Sequence, residues 1–186
     1  GGTDAAGGGG IYCENSTATL NSSIVRENYI RGGLQILYGK YDVPGPIGLD
    51  AFGSGISALN STLSIDKSHI LQNICHGGPT MQFPLIGYEK CGDAYGGGIY
   101  NKNTLSNITN TKIEDNVASG SSTFGSVSPV VVEMPGNSLG GGISAEQSHL
   151  TLDNCLISRN KCIAGSNKYS GGGKYNGNAL GGGIYN

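Results

Sequence analysis

The chain has 186 residues, of which 34 are glycine and only 13% are charged, and its formal net charge is −2. This length suits a single domain, and the sparse charge excludes a basic surface for nucleic acid and a long acidic tail. No run of about 18 apolar residues occurs, which excludes a transmembrane helix.

A repeat of about 44 residues runs through the chain. Its markers are isoleucines, each preceded by glycine and spaced 41 to 45 residues apart: Ile11, Ile56, Ile99, Ile143 and Ile184. Apolar residues follow each complete marker after nine and fourteen residues, and a small residue follows after twelve. The seventeenth residue is always asparagine: Asn28, Asn73, Asn116 and Asn160. We therefore predict repeats at 10–54, 55–97, 98–141 and 142–182, and a partial repeat at 183–186.

One half of each repeat is typical of short β-strands. Residues 61–65 (Ser-Thr-Leu-Ser-Ile) alternate between polar and apolar, and no segment keeps helical periodicity over three turns. One such strand cannot bury its apolar side alone, whereas stacked copies bring Ile56, Ile99 and Ile143 together in a narrow core. We predict an all-β fold, a right-handed parallel β-helix, with residues 1–186 in a single domain.

The asparagines and the glycine runs suit the corners of such a coil. Asparagine tolerates a left-handed backbone, and stacked asparagine side chains can hydrogen-bond to the copies above and below them. The alternative is that these asparagines are ordinary turn residues, unrelated in space. The glycines before each marker suit a tight corner, where a Cβ atom would clash.

The other half of each repeat diverges in sequence. We predict one long lateral insert per repeat, at 29–52, 74–95, 117–139 and 161–180. The alternative is that each repeat makes two coils, of which the second is degenerate. Residues 34–38 and 130–133 are strand-like pieces within these segments.

The glycine runs and the downstream Ile-x-x-Asn elements together form a motif. Residues 92–101 read Gly-Asp-Ala-Tyr-Gly-Gly-Gly-Ile-Tyr-Asn, residues 177–186 are close to them, and Ile-x-x-Asn recurs at 70–73, 113–116 and 157–160. This motif resembles the repeat of bacterial right-handed β-helix surface proteins. It is also similar to the Gly-Gly-Ala-Ile and Phe-x-x-Asn repeats of chlamydial polymorphic outer-membrane proteins and to autotransporter-passenger repeats, although Ile or Val replaces Phe here. The resemblance implies a passenger or stalk region of a secreted or surface-displayed protein.

Both ends of the chain interrupt the pattern. It opens with Gly1 rather than methionine and closes within a motif at Asn186, so we expect a fragment of a longer array. Four coils spaced about 4.8 Å apart rise only ~19 Å and leave two unpaired sheet edges. We therefore expect the partners to be further repeats or other copies of the protein, packed end to end or laterally, with carbohydrate as a further candidate.

The cysteines and the sequons offer candidate covalent modifications. No Cys-x-x-Cys occurs, which disfavours a zinc or redox site. Cys75 and Cys91 flank one insert and are candidates for a disulfide, and the alternative is that the cysteines are small buried residues, above all Cys155. In a secreted protein the sequons would make four asparagines candidates for glycosylation: Asn15, Asn21, Asn60 and Asn107.

Candidate catalytic residues do not line up in the repeat. Arg26 and Arg159 lie at different offsets from the marker, and we find no carboxylate column aligned with either. Asp66 and Asp153 share an offset that favours a solvated surface, and Asp50 and Asp93 are expected to bond corner backbone rather than calcium. The histidines are unaligned: His69, His76 and His149. We predict no catalytic, cofactor-binding or metal-binding residue.

The sequence therefore predicts a non-catalytic structural or adhesive repeat of an extracellular or cell-surface protein, such as a stalk, passenger or filament subunit. The alternative is a carbohydrate-binding or polysaccharide-cleaving β-helix of the pectate-lyase kind. Tyrosines at one offset favour sugar binding, although they could equally pack beneath an insert: Tyr12, Tyr100 and Tyr185, alternating with Ser57 and Ser144. Ice binding would need a regular threonine array, which the chain lacks.

Overall fold

The computed structural model describes residues 5–35, 47–80, 87–123, 131–167 and 176–186. Throughout these ranges the protein is all-β, with short strands and no helix. The first twelve strands are β1 (Ala6–Gly7), β2 (Ile11–Glu14), β3 (Thr17–Asn21), β4 (Ile24–Arg26), β5 (Tyr29–Arg31), β6 (Leu34–Gln35), β7 (Ile47–Gly48), β8 (Ala51–Phe52), β9 (Ile56–Leu59), β10 (Thr62–Asp66), β11 (His69–Leu71) and β12 (Ile74–His76). The others are β13 (Gly87–Lys90), β14 (Ala94–Tyr95), β15 (Ile99–Lys102), β16 (Leu105–Thr109), β17 (Lys112–Glu114), β18 (Val117–Ser119), β19 (Val131–Met134), β20 (Ser138–Leu139), β21 (Ile143–Glu146), β22 (His149–Asp153), β23 (Leu156–Ser158), β24 (Lys161–Ile163), β25 (Ala179–Leu180) and β26 (Ile184–Tyr185).

Strands from successive repeats pair side by side. Five sheets are entirely parallel, and we number them along the chain: the first is β1-β8-β14-β20-β25, the second β2-β9-β15-β21-β26, the third β3-β10-β16-β22, the fourth β4-β11-β17-β23 and the fifth β5-β12-β18-β24. In the second sheet Ile56 lies between Ile11 and Ile99, so the register follows the markers in the sequence. These stacked parallel sheets are consistent with a β-helix or solenoid.

The sixth sheet departs from this pattern. It comprises β6, β7, β13 and β19, and β6 pairs with β7 in antiparallel orientation. It lies within the predicted inserts, whose bounds were too wide, because β5, β12, β18 and β24 belong to the fifth sheet. The strand-like piece at 130–133 corresponds to β19. Of the piece at 34–38, only β6 lies in the described residues.

Apolar columns inside the stack form the core. Ile56, Ile65 and Ile70 are fully buried, and each stacks on its counterparts in the neighbouring repeats. Full burial of one such side chain contributes about 1.5–3 kcal/mol. A smaller cluster around Cys75 packs between the first and fifth sheets.

The corners show where one expectation was wrong. The asparagines of the repeat do not have the left-handed backbone; the residue before each one does: Glu27, Gln72, Asp115 and Arg159, with φ of 56–57°. The same turn precedes the inward-facing small residues at two other corners, for example at Asn60 and Lys67. In the second repeat each left-handed residue is exposed and the residue that follows it is buried: Ser61, Ser68 and Asn73.

A ladder of backbone hydrogen bonds, which we call the neck, closes each repeat beside the fifth sheet. Gly78 N donates to Leu49 O, and Gly92 N donates to Gly78 O, so outgoing and returning chain alternate. The ladder continues through Ser121, Gly136, Gly165 and Gly177. A Cβ atom on Gly92 would fall on the carbonyl oxygen of Leu49, which explains why glycine recurs here.

Candidate functional site

The asparagine column joins the repeats through its side chains. Asn73 Nδ2 donates to Asn116 Oδ1 (2.9 Å) and to the carbonyl oxygen of Val25 (3.1 Å), so one amide links three repeats. Asn116 makes the equivalent bonds to Asn160 and to Ile70. The backbone N–H groups of Asn28, Asn73 and Asn116 also donate to the amide oxygen of the next asparagine. These residues are therefore structural neighbours rather than independent turn residues.

Small polar residues form two further columns at the corners, five and twelve residues after each marker. Five residues after each marker stands a hydroxyl residue, and the two in the middle repeats, Ser61 and Thr104, are buried; the others are Ser16 and Ser148. Thr104 Oγ1, for example, lies 3.0 Å from the carbonyl oxygen of Ala58, and Thr104 N donates to Ser148 Oγ. The fixed offset of these hydroxyls is a signal in the sequence, but only the small residues at offset twelve were predicted to stack.

A column of acidic and amide side chains precedes the first sheet. Asp93 N donates to Asp50 Oδ1 (2.8 Å), and Asn137 N donates to Asp93 Oδ1 (2.6 Å). Asp50 and Asp93 therefore accept bonds from the backbone of the following repeat. Desolvation by burial raises the pKa of Asp50, and the charge of Asp93 raises it further.

The proposed disulfide is not formed. Cys75 is a free thiol, buried among Ala51, Ala94 and Ala118, and burial raises its pKa to about 12. Cys91 is also buried, with its Sγ 3.9 Å from Thr80 Oγ1. Cys155 occupies the small-residue column, and its Sγ lies 3.2 Å from the carbonyl oxygen of Ile108. The four sequon asparagines are all exposed: Asn15, Asn21, Asn60 and Asn107.

A charged cluster on the fourth sheet corrects the expectation that no carboxylate aligns with an arginine. Arg159 has the same offset as Asp115, and its Nε donates to Asp115 Oδ1 (2.9 Å). Glu114 accepts hydrogen bonds from Ser158 and Arg159, and its Oε2 lies 2.8 Å from His69 Nε2. The bonds from His69 and Ser158, aided by the charge of Arg159, lower the pKa of Glu114 to about 2. The bond and charge of Asp115 raise the pKa of Arg159.

An aromatic cleft of about 390 Å³ opens where the outward sides of the first and second sheets meet. Tyr12, Phe52 and Tyr100 line it, together with Lys102 at its edge. The ring centroids of Phe52 and Tyr100 are 4.8 Å apart, and Phe52 stacks on Tyr95 at 5.0 Å. The sequence related only the tyrosines of the second sheet, because Phe52 belongs to a different column.

No known protein family, curated protein or solved structure matches this sequence. Within the described residues, no group of three or more His, Cys, Asp or Glu side chains is placed to hold a metal ion. The same part of the chain contains no helix able to cross a membrane.

Proposed function

We propose that this chain is a non-catalytic structural and adhesive repeat of an extracellular or cell-surface protein. In this proposal the strands wind as a right-handed parallel β-helix, with one lateral insert leaving each repeat at the neck. The observation that carries the proposal is the asparagine column, in which Asn73 and Asn116 each bond to the repeats on both sides. Residues that recur at a fixed offset are thus used to stack repeats.

The open edges of the stack support the proposed partners. Core side chains that are fully buried in the second repeat, such as Leu63, have only half-buried counterparts in the last repeat, such as Leu150. Strand edges and apolar side chains left uncovered in this way favour pairing with another strand. We propose that further repeats or second copies of the protein cover them.

Polysaccharide cleavage is the runner-up and has less support. A lyase of the pectate-lyase kind needs an arginine that can lose its proton, whereas Asp115 and Glu114 stabilise the protonated form of Arg159. A glycosidase needs a carboxylic acid that is protonated near neutral pH, and Glu114 does not suit that role because its pKa is lowered to about 2.

Labelling of intact source cells with an antibody against the chain tests the proposed location. We expect surface labelling that brief protease treatment of the cells removes. Labelling only after the cells are permeabilised would overturn the proposal. In parallel, incubation with pectate, xylan and mannan should release no reducing ends or unsaturated products, and release of either would favour the enzymatic alternative.

Insertion of a second copy of residues 55–97 after residue 97 tests the stacked architecture. Each added repeat contributes a further interface, so we expect the melting temperature to rise while the far-ultraviolet circular dichroism keeps its β-type shape. Loss of folding on insertion would contradict a repeat that stacks on its neighbours.

A further inference from the structure

The aromatic cleft exists because small residues interrupt two outward columns. Ser57 on β9 separates Tyr12 on β2 from Tyr100 on β15, so the two tyrosines are two strand spacings apart, about 9.6 Å. In the first sheet Gly7 leaves no side chain beside the Tyr12 ring. Phe52 fills only part of the space that these residues leave.

The walls of the cleft differ in exposure. Tyr12 is 52% exposed, whereas Tyr100 is 2% exposed and packs against Phe52. The ring available to a ligand is therefore that of Tyr12, with Phe52 opposite it. Tyr100 supports Phe52 rather than offering a face of its own.

Polar groups of both signs lie around the aromatic rings. Tyr12 OH donates to Glu14 Oε2 (2.9 Å), and Tyr100 OH donates to Glu146 Oε2 (2.8 Å). Lys102 Nζ lies 2.9 Å from Glu146 Oε1, so the lysine and a carboxylate share one edge. Each carboxylate keeps lone pairs, and the ammonium keeps N–H groups, for a further hydrogen bond.

We propose that the cleft binds one pyranose ring of a neutral polysaccharide. The C–H groups on one face of a pyranose carry partial positive charge and suit the negative face of the Tyr12 ring. Its hydroxyls both donate to Glu14 and accept from Lys102. An anionic ligand would meet the carboxylates, and a purely apolar one would desolvate the Lys102–Glu146 ion pair without replacing its hydrogen bonds to water. The volume lies within the roughly 300–1,000 Å³ typical of ligand sites.

This inference rests on the proposed adhesive role and names its ligand class. Isothermal titration with cellohexaose and with mannohexaose is the test, and hexagalacturonate is the acidic comparison. We expect saturable binding of at least one neutral oligosaccharide, at least about tenfold tighter than that of hexagalacturonate, and about a tenfold loss in Tyr12→Ala. Tyr29→Ala is the matched control, because Tyr29 is 58% exposed on the fifth sheet, away from the cleft.

Comparison with the Tyr29→Ala control defines which outcomes would overturn the proposed sugar site. Absence of saturable binding for both neutral probes, preference for hexagalacturonate, or equal weakening in Tyr12→Ala and Tyr29→Ala would each overturn it. Unchanged unfolding midpoints would show that both variants are folded. Failure here with surface labelling intact would remove only the cleft, whereas sugar binding by a protein found only inside cells would remove the adhesive role.

Discussion

Two asparagines of the third repeat are equally buried but have opposite surroundings. Asn116 and Asn101 are both 0% exposed. The Asn116 side chain bonds to Asn160, Asn73 and the Ile70 carbonyl, whereas neither amide atom of Asn101 has a hydrogen-bond partner among the described residues. A buried amide is stabilising only where the repeats on both sides supply its partners.

The columns explain this difference. The column of Asn116 holds asparagine in every complete repeat, whereas the column of Asn101 holds Cys13, Ala58 and Ala145 in the other complete repeats. Ser106, also buried and unpartnered within the described chain, stands where the neighbouring repeats have Leu63 and Leu150. The third repeat therefore has asparagine and serine at the two positions where both neighbouring repeats have alanine and leucine.

The largest expected effect comes from breaking the asparagine column. Asn116→Ala removes the bonds to Asn160 and Ile70 and leaves Asn73 Nδ2 and N without their shared acceptor. We expect urea titration to show a loss of about 3 kcal/mol in the free energy of unfolding. Asn28→Ala, at the half-buried end of the column, should lose less. A loss below about 1 kcal/mol in Asn116→Ala would mean that the asparagine column contributes little to the stability of the protein.

Replacing the two residues of the third repeat that are unpartnered within the described chain, Asn101 and Ser106, should instead raise the free energy of unfolding. The double variant Asn101→Ala and Ser106→Leu recreates the interior of the second repeat, with Ala58 and Leu63 as its template. We expect a gain of about 2 kcal/mol by the same titration, because two polar groups leave the core and an apolar one enters. Asn101→Ala alone should gain less, and destabilisation by the double variant would show that the amide is satisfied in solution.

A third test replaces a carboxylate by an amide in the column that contains Asp50 and Asp93. In Asp50 the raised pKa means that the native state favours the protonated carboxyl, so its contribution to stability is present in acid and lost as pH rises through that pKa. We expect Asp50→Asn to raise the urea midpoint at pH 7 and to change it little at pH 3. Asn178, at the exposed end of this column, provides the control Asn178→Ala, which should be near neutral.

The smallest expected effect concerns the charged cluster on the fourth sheet. The lowered pKa of Glu114 means that its stabilisation is present above about pH 4.5 and is lost as pH falls toward 2. Glu114→Gln should therefore lower the urea midpoint at pH 7 and converge with the parent chain near pH 2. A constant difference at both values would show that the ionised carboxylate is not what Glu114 contributes.

The sequence revealed the columns because each position recurs in every repeat. The register of Ile56 and the neighbourhood of Asn73 followed from offsets alone. Left-handed residues were not visible, since Glu27, Gln72, Asp115 and Arg159 share a backbone conformation but no side-chain chemistry. The cleft was predicted only in part: Tyr12 and Tyr100 share one offset, whereas Phe52 comes from a different sheet and no single offset relates it to them.

The neck holds the two ends of each connecting segment side by side. Gly78 N meets Leu49 O and Gly92 N meets Gly78 O, so departure and return are adjacent and the length between them is not fixed by the stack. The intervals from Gly33 to Leu49 and from Gly165 to Gly177 already differ, at 16 and 12 residues. Because loop-closure entropy grows only slowly with length, we expect a foreign peptide spliced into one of these intervals, outside the strands of the sixth sheet, to leave the hydrogen bonds of the neck in place.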